Sequence, residues 1–228
     1  YQMKEYLTKI LDWKTEAVTN QYDELPFWSA PFGTLLLDNF PIGNYKQYVD
    51  IGCGTGFPLI DISQRLGNEC ESFGIDPWHE AVVRAREKIK TIGLTNVQLI
   101  ENDASSLPFK DNSTDLITSN LGINNFERPV PVIEECYRIL KKGSSFCTTS
   151  NLNGTFNEFY KIFEMTLKEL DLYEKYESEY TVHVNHRGTI KSMQELLETS
   201  GFKIVNRIDS ETSLRYLNGT AFLNHSLI

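Results

Sequence analysis

From Gln47 onward, short apolar runs alternate with longer segments whose apolar residues recur every three or four positions. "YVDI" (48–51), "ESFGID" (71–76), "NVQLIEND" (96–103), "TDLITSN" (114–120) and "SSFCTTS" (144–150) read as five strands, each a brief run bounded by turn-forming residues. Between them, residues 58–66 place Leu59, Ile62 and Leu66 on one helical face. "PWHEAVVRAREKIKTIG" does the same with Ala81, Val82, Ala85 and Ile89, and Gly93 is its stop signal. "RPVPVIEECYRILKKG" predicts a helix ending on lysines and glycine, as the helix dipole and C-cap geometry favour. Strands alternating with helices of this length predict a parallel sheet covered on both faces. Right-handed crossovers then align the carboxyl ends of the strands along one edge, where open α/β sheets bind ligands.

The flanking segments follow other patterns. Tyr6, Leu7, Ile10, Leu11 and Val18 recur at helical intervals. "YDELPFWSAPFG" (22–33) then breaks the helix as an ordered loop, and "TLLLDNF" (34–40) adds a short one. After Ser150, "GTFNEFYKIFEMTLKELDLYEKY" (154–176) predicts one long amphipathic helix, with Phe156, Phe159, Tyr160, Phe163, Leu167 and Leu170 on its face. That face either packs into the core or covers a substrate pocket. "TIKSMQELLETSGF" reads as a further helix, and "FKIVNRI" and "GTAFLNHSLI" as two final strands. The expected organisation is an N-terminal helical cap over 1–46 and a main domain over 47–228, with 151–190 as a substrate-facing insertion.

The chemistry starts at "YVDIGCGTGFP" (48–58). A glycine-rich turn after a strand lets backbone approach a ligand and presents helix N–H groups to it. The spacing Gly52-x-Gly54-x-Gly56 brings the third glycine one place earlier than the dinucleotide fingerprint does. Asp50, two residues before the first glycine, repels a pyrophosphate and attracts a cation. Asp76 closes the next strand, where a carboxylate can accept from both ribose hydroxyls or cap the following helix. Asp103 follows the third strand, placed to accept from an adenine amino group while the Ala104 N–H donates to a ring nitrogen. S-adenosylmethionine (SAM) suits this set: it carries an ammonium, a sulfonium and no phosphate.

Charge narrows the partners. The net charge is −9, 40% of residues are apolar and 23% are charged, which predicts a packed core and gives no phosphate-tracking surface. Arg84, Arg86, Lys88 and Lys90 form the one dense basic group and read as a solvated helix face. No nucleic-acid partner, no membrane span and no secretory signal are expected. Cys53, Cys70, Cys136 and Cys147 form no C-x-x-C pair, so no zinc or other metal site is expected, and the reduced cytoplasm is the expected compartment.

With those residues in place, "VDIGCGTG", "GID", "NDASSLPF", "DLITSNLGINNF" and "LKKGSSF" resemble the successive motifs of class I SAM-dependent methyltransferases. The likeness runs from Tyr48 to Thr149, echoes in "SGFKIVNRI", and is closest to the small-molecule branch that includes quinone and sterol methyltransferases. It implies a doubly wound, mostly parallel seven-stranded sheet with the last strand antiparallel, binding SAM and releasing S-adenosylhomocysteine (SAH). It implies that Asp50 and the loop Gly52, Cys53, Gly54 and Gly56 hold the methionine part. Asp76 would bind ribose, Pro77 or Trp78 would lie beside the adenine, and Asp103 and Ala104 would read its edge. Asn120 would sit near the methyl group, with Tyr22 and Trp28 closing over SAM and acceptor.

Methyl transfer from a sulfonium relies on alignment and desolvation, and a general base helps acceptors that must lose a proton. No base declares itself; His186, flanked by Asn185 and Arg187, is the candidate from the region the resemblance makes substrate-facing, and Asn124 could orient an acceptor. The absence of a "[DN]-P-P-[YF]" motif after the fourth strand, with the acidic charge, favours a small-molecule acceptor; a monomer or homodimer is expected. A nicotinamide-dependent oxidoreductase and a catalytically silent SAM-binding partner protein are the alternatives.

Overall fold

The computed structural model describes residues 10–225, so Tyr6 and Leu7 of the first expected helix lie outside the described residues. Its centre is a five-stranded sheet in the order β3-β2-β1-β4-β5. The strands are β1 (Gln47–Ile51), β2 (Glu71–Asp76), β3 (Val97–Glu101), β4 (Thr114–Asn120) and β5 (Leu140–Thr149), and every pairing is parallel. The crossover helices are α3 (Leu59–Leu66), α4 (His79–Ile92) and α5 (Pro129–Ile139). Before β1 come α1 (Glu16–Glu24) and α2 (Ser29–Asn39); after β5 come α6 (Asn157–Glu169), α7 (Tyr173–Asn185), α8 (Ile190–Thr199) and α9 (Gly219–Leu223). Among the described residues no helix is long and apolar enough to cross a membrane.

Strand alternation divides the core. Val49, Ile51, Ile75 and Ile117 pack with Val132, Cys136 and Ile139 of α5. Tyr48 and Leu116, on the opposite side of the pleat, pack with Leu59 and Ile62 of α3 and with Phe40. Asp50 shares the parity of Tyr48 and so lies on the α3 side.

Several expectations are corrected. The described residues form five strands, where seven were expected. Residues 202–208 join no ladder: Phe202 packs on Tyr137 and Phe146, but Val205 is 86% exposed. An alternating pattern makes a strand only where a neighbour supplies the hydrogen bonds. The other expected strand contains α9 instead, because the Asn218 side chain accepts from the Ala221 N–H at 2.9 Å and caps a helix start. Helix α5 stops at Ile139, before its lysines; Lys141 belongs to β5 and its Nζ lies 2.6 Å from Asp115 Oδ1. The long aromatic helix is two. Asp171 adopts φ 54°, and the Leu172 N–H reaches back to the Leu167 carbonyl at 2.8 Å, a Schellman-type stop. Helix α2 also starts earlier than expected, at Ser29.

The basic face of α4 is not simply solvated. Arg84 Nε and Lys88 Nζ lie 2.9 and 2.6 Å from the two carboxylate oxygens of Asp23, clamping α1 onto α4. These bonds outweigh the cost of burial and hold the Asp23 carboxyl below its usual range. A depressed carboxyl adds stability above its unfolded pKa and loses it as pH falls through the folded one. Asp23→Asn is expected to cost about 1–2 kcal/mol at pH 7. Urea denaturation at pH 7 and pH 3 checks this: the gap between variant and wild type should narrow at the lower pH.

Candidate active site

The chain leaves β1 toward β2 and returns beside its other edge as β4, so a crevice opens between β1 and β4 at their carboxyl ends. Asp50 stands there, in register with Gly74 on β2 and Thr118 on β4. It has no exposed surface. Its Oδ1 accepts from Thr118 Oγ1 at 2.5 Å, and Oδ2, also buried, has no partner among the described residues. Thr118 gives its one hydroxyl proton to Asp50, so Tyr48 must donate its own to Thr118 across 2.6 Å. Burial pushes the Asp50 carboxyl up to about 7; the Thr118 hydrogen bond opposes the rise and the charge of Asp76 adds to it. A cation is the chemical partner that would restore full ionisation.

The loop after β1 turns most of its own N–H groups inward. Those of Gly52 and Cys53 both reach the Ile75 carbonyl, at 2.8 and 3.1 Å. That of Gly54 reaches Asp76 Oδ2 at 2.8 Å. Cys53 thus contributes backbone alone, its thiol buried beneath the loop. A Cβ on Gly56 would come within 2.8 Å of Ile60, so that glycine serves helix packing. Gly54 differs: its φ is +51°, and a Cβ there would meet nothing within 4 Å. Its bare face borders open space, as close ligand approach requires.

Asp76 is buried, and burial raises its pKa. Its Oδ1 accepts from the Trp78 N–H at 2.8 Å, so the carboxylate ties the glycine loop to the start of α4. The capping position itself is taken by Trp78, not Asp76. Pro77 is exposed. Trp78 joins Trp13 and Tyr22 in an edge-to-face cluster with 5.4 Å between ring centroids, and its Nε1 donates to the Trp13 carbonyl. Burial raises the Tyr22 pKa, and Asp76 and Asp23 raise it further.

Asp103 is exposed beyond β3, unlike the other two acids. Its Oδ1 accepts from the Ser105 N–H at 2.6 Å, which with the Ser105 hydroxyl lowers its pKa. Ala104 is buried in the core. The strand order nevertheless sets Asp103, Asp76 and Asp50 at the ends of three adjacent strands.

Asn120 ends β4. Its Nδ2 donates to the Ser29 carbonyl at 3.3 Å, and its Oδ1 accepts from Thr149 Oγ1 at 2.7 Å. Asn124 exchanges two hydrogen bonds with the Asn151 backbone, at 3.0 and 3.1 Å, so its amide is committed to the scaffold. His186 is exposed at the end of α7, where its ring contacts the His183 carbonyl. It does not line the cavity of about 710 Å³ between α6 and α7, which His183 and Arg187 do, with Phe156, Phe159, Tyr160 and Tyr180. Tyr160 and His183 lie 3.1 Å apart there, and Arg187 Nη1 is buried without a partner among the described residues. Trp28 stacks on Phe156 at 5.1 Å, joining this cavity to α2. Sequence reading missed Thr118 and Tyr48, whose roles need the β1–β4 register, and Trp13, which carries no motif.

A family profile described as a methyltransferase domain matches residues 42–201. A demethylmenaquinone methyltransferase from Geobacillus kaustophilus is 33% identical over 118 residues, 52% of this chain and 50% of that protein. The chain therefore spans half the length of that relative. One from Listeria welshimeri is 29% identical over 175 residues, 70% of this chain and 71% of its own. The crystal structure of a SAM-dependent methyltransferase from Aquifex aeolicus shares the fold with a TM-score of 0.52 and 23% identity, over 61% of this chain and 74% of that one.

A carboxyl whose pKa is raised by folding costs stability as pH climbs from its unfolded to its folded value. Without ligand, Asp50→Asn is therefore expected to exceed wild type in stability at pH 8, by on the order of 2–4 kcal/mol. Denaturant midpoints at pH 8 and pH 4 check it; the advantage should vanish at pH 4.

Proposed function

Because the chain belongs to the class I SAM-dependent methyltransferases, we propose that it moves a methyl group from SAM to a small acceptor with a flat apolar body. What supports this reading is the buried Oδ2 of Asp50, without a hydrogen-bond partner among the described residues, four positions before Gly54, where a Cβ would meet nothing within 4 Å. A carboxylate there suits an ammonium, and a glycine without contacts leaves room for the atoms attached to it. Bound SAM supplies an electrophilic methyl on a good leaving group.

The remaining work falls to the chain's own residues. Asp50 would hold the methionine ammonium, its pKa falling as the cation arrives. Asp76, already fixed by two backbone N–H groups, keeps lone pairs free for ribose hydroxyls. Trp78, Trp13 and Tyr22 would exclude water beside the adenine, with Asp103 and Ala104 along its edge. Asn120 would place the end of β4 near the methyl. Residues 1–46 would act as the cap. Residues 151–190 would face the acceptor, whose apolar body the ring-lined walls between α6 and α7 suit. His186 and Asn124 carry no catalytic role in this reading; His183 and Arg187 supply polar contacts instead.

Calorimetry with SAH tests the cofactor half. Wild type should bind; Asp50→Asn should bind about tenfold or more weakly, although it is the more stable protein without ligand. Tyr22→Phe should also weaken binding. Transfer of labelled methyl to reduced demethylmenaquinone is the first acceptor assay, because the relatives carry that activity by name. Absence of SAH binding by wild type would overturn the reading.

A further inference from the structure

Among the described residues three arginines are half-buried: Arg84, Arg138 and Arg187. Arg84 pairs with Asp23, and Arg138 with Glu135 and Asp111, whereas no ion pair among the described residues includes Arg187. Its Nη1 is buried without a hydrogen-bond partner, and the side chain borders the cavity between α6 and α7. Carboxylates are not scarce in this chain, which has 31 acidic residues against 22 Lys and Arg. A guanidinium taken partly out of water without a counter-charge is costly, and an anionic guest offsets that cost.

The backbone holds Arg187 at this place. Asn153 donates from its N–H to the Gly188 carbonyl at 2.8 Å and from its side chain to Asn185 Oδ1 at 3.1 Å, so it brackets Arg187 from both sides. Two residues earlier, Asn151 exchanges its backbone hydrogen bonds with Asn124, just past β4. The cation is thus tied to the carboxyl edge of the sheet and is not carried on a free helix end.

The other walls limit what can lie against it. Phe159, Phe163 and Tyr176 present rings, which suit a flat apolar body. Burial lowers the His183 pKa, and the charges of His186 and Arg187 lower it further, so His183 is neutral at pH 7. Glu179 is exposed, two turns earlier along α7. Arg187 therefore supplies one positive charge at one end of an apolar space. A monoanion matches it; a phosphate dianion would bring a second charge with no partner among these walls. The planar guanidinium fits a carboxylate in particular.

We propose that this cavity takes an aromatic carboxylate, its acid group paired with Arg187 and its rings between α6 and α7. The proposal rests on the methyltransferase reading for one point only, that the guest is the acceptor; it adds an anionic end to that acceptor's apolar body.

Calorimetry with biphenyl-4-carboxylate and its neutral amide tests the site. Wild type should bind the acid about tenfold or more tightly than the amide, and added NaCl should weaken the acid alone. Arg187→Gln should erase the preference by weakening the acid, with amide and SAH affinities unchanged, and Arg187→Lys should restore part of the loss. Equal affinity of wild type for acid and amide would overturn the proposal, and so would binding of neither. Equal weakening of both by Arg187→Gln would do the same, since an arginine that only complements the dipole at the end of α7 gives that result. Tighter binding of biphenyl-4-yl phosphate than of the carboxylate would overturn the ligand class. Failure of wild type to bind SAH would instead sink the methyltransferase reading and leave the acid site standing.

Discussion

A carboxylate with no solvent-exposed surface occupies the point where the sheet changes winding direction, and among the described residues only one of its oxygens is bonded. Burial of that kind opposes folding, and the hydroxyl pair behind it, Thr118 and Tyr48, relieves the cost only in part. The five-stranded core, with Val49, Ile51, Ile75 and Ile117 fully buried, is what lets the chain tolerate it. On the proposed function, the arrangement is an anion kept poorly solvated for a cationic guest, four positions before a glycine whose Cβ would meet nothing within 4 Å.

The N-terminal cap is coupled to that crevice by electrostatics as well as by apolar packing. Asp23 grips two cations on α4, and its neighbour Tyr22 is thereby held against Trp78 at the tip of β2. Asp76 faces the same corner and raises the Tyr22 pKa. One ion-pair clamp thus fixes both the attachment of α1 and the position of the aromatic cluster over the second strand.

A continuous set of rings links the start of α2 to α6 and α9. Trp28 stacks on Phe156, and Phe222 of α9 packs on both Phe156 and Phe159. Tyr216 joins Phe222 to His225. Helix α9 therefore backs the cavity between α6 and α7, its Phe222 packing on Phe156 and Phe159 of the cavity wall.

The local rules of strand and turn were enough to find β1 to β4, the apolar face of α4 and the three acids at or beyond the ends of successive strands, because each depends on neighbours a few positions away. They also located the glycine loop, since Gly52, Gly54 and Gly56 all require a positive φ. They failed where the deciding partner is remote. Residues 202–208 carry a strand's alternation but join no ladder, and residues 154–176 carry one apolar face across a stop set by Asp171. Arg84 and Lys88 looked solvated until folding brought Asp23, some sixty residues away, onto them. Asn124 looked free until it met Asn151. Composition and spacing could name the acids; the β1–β4 register alone decided which oxygen of Asp50 stays unpaired, because a hydrogen bond across strands exists only once both strands are in place.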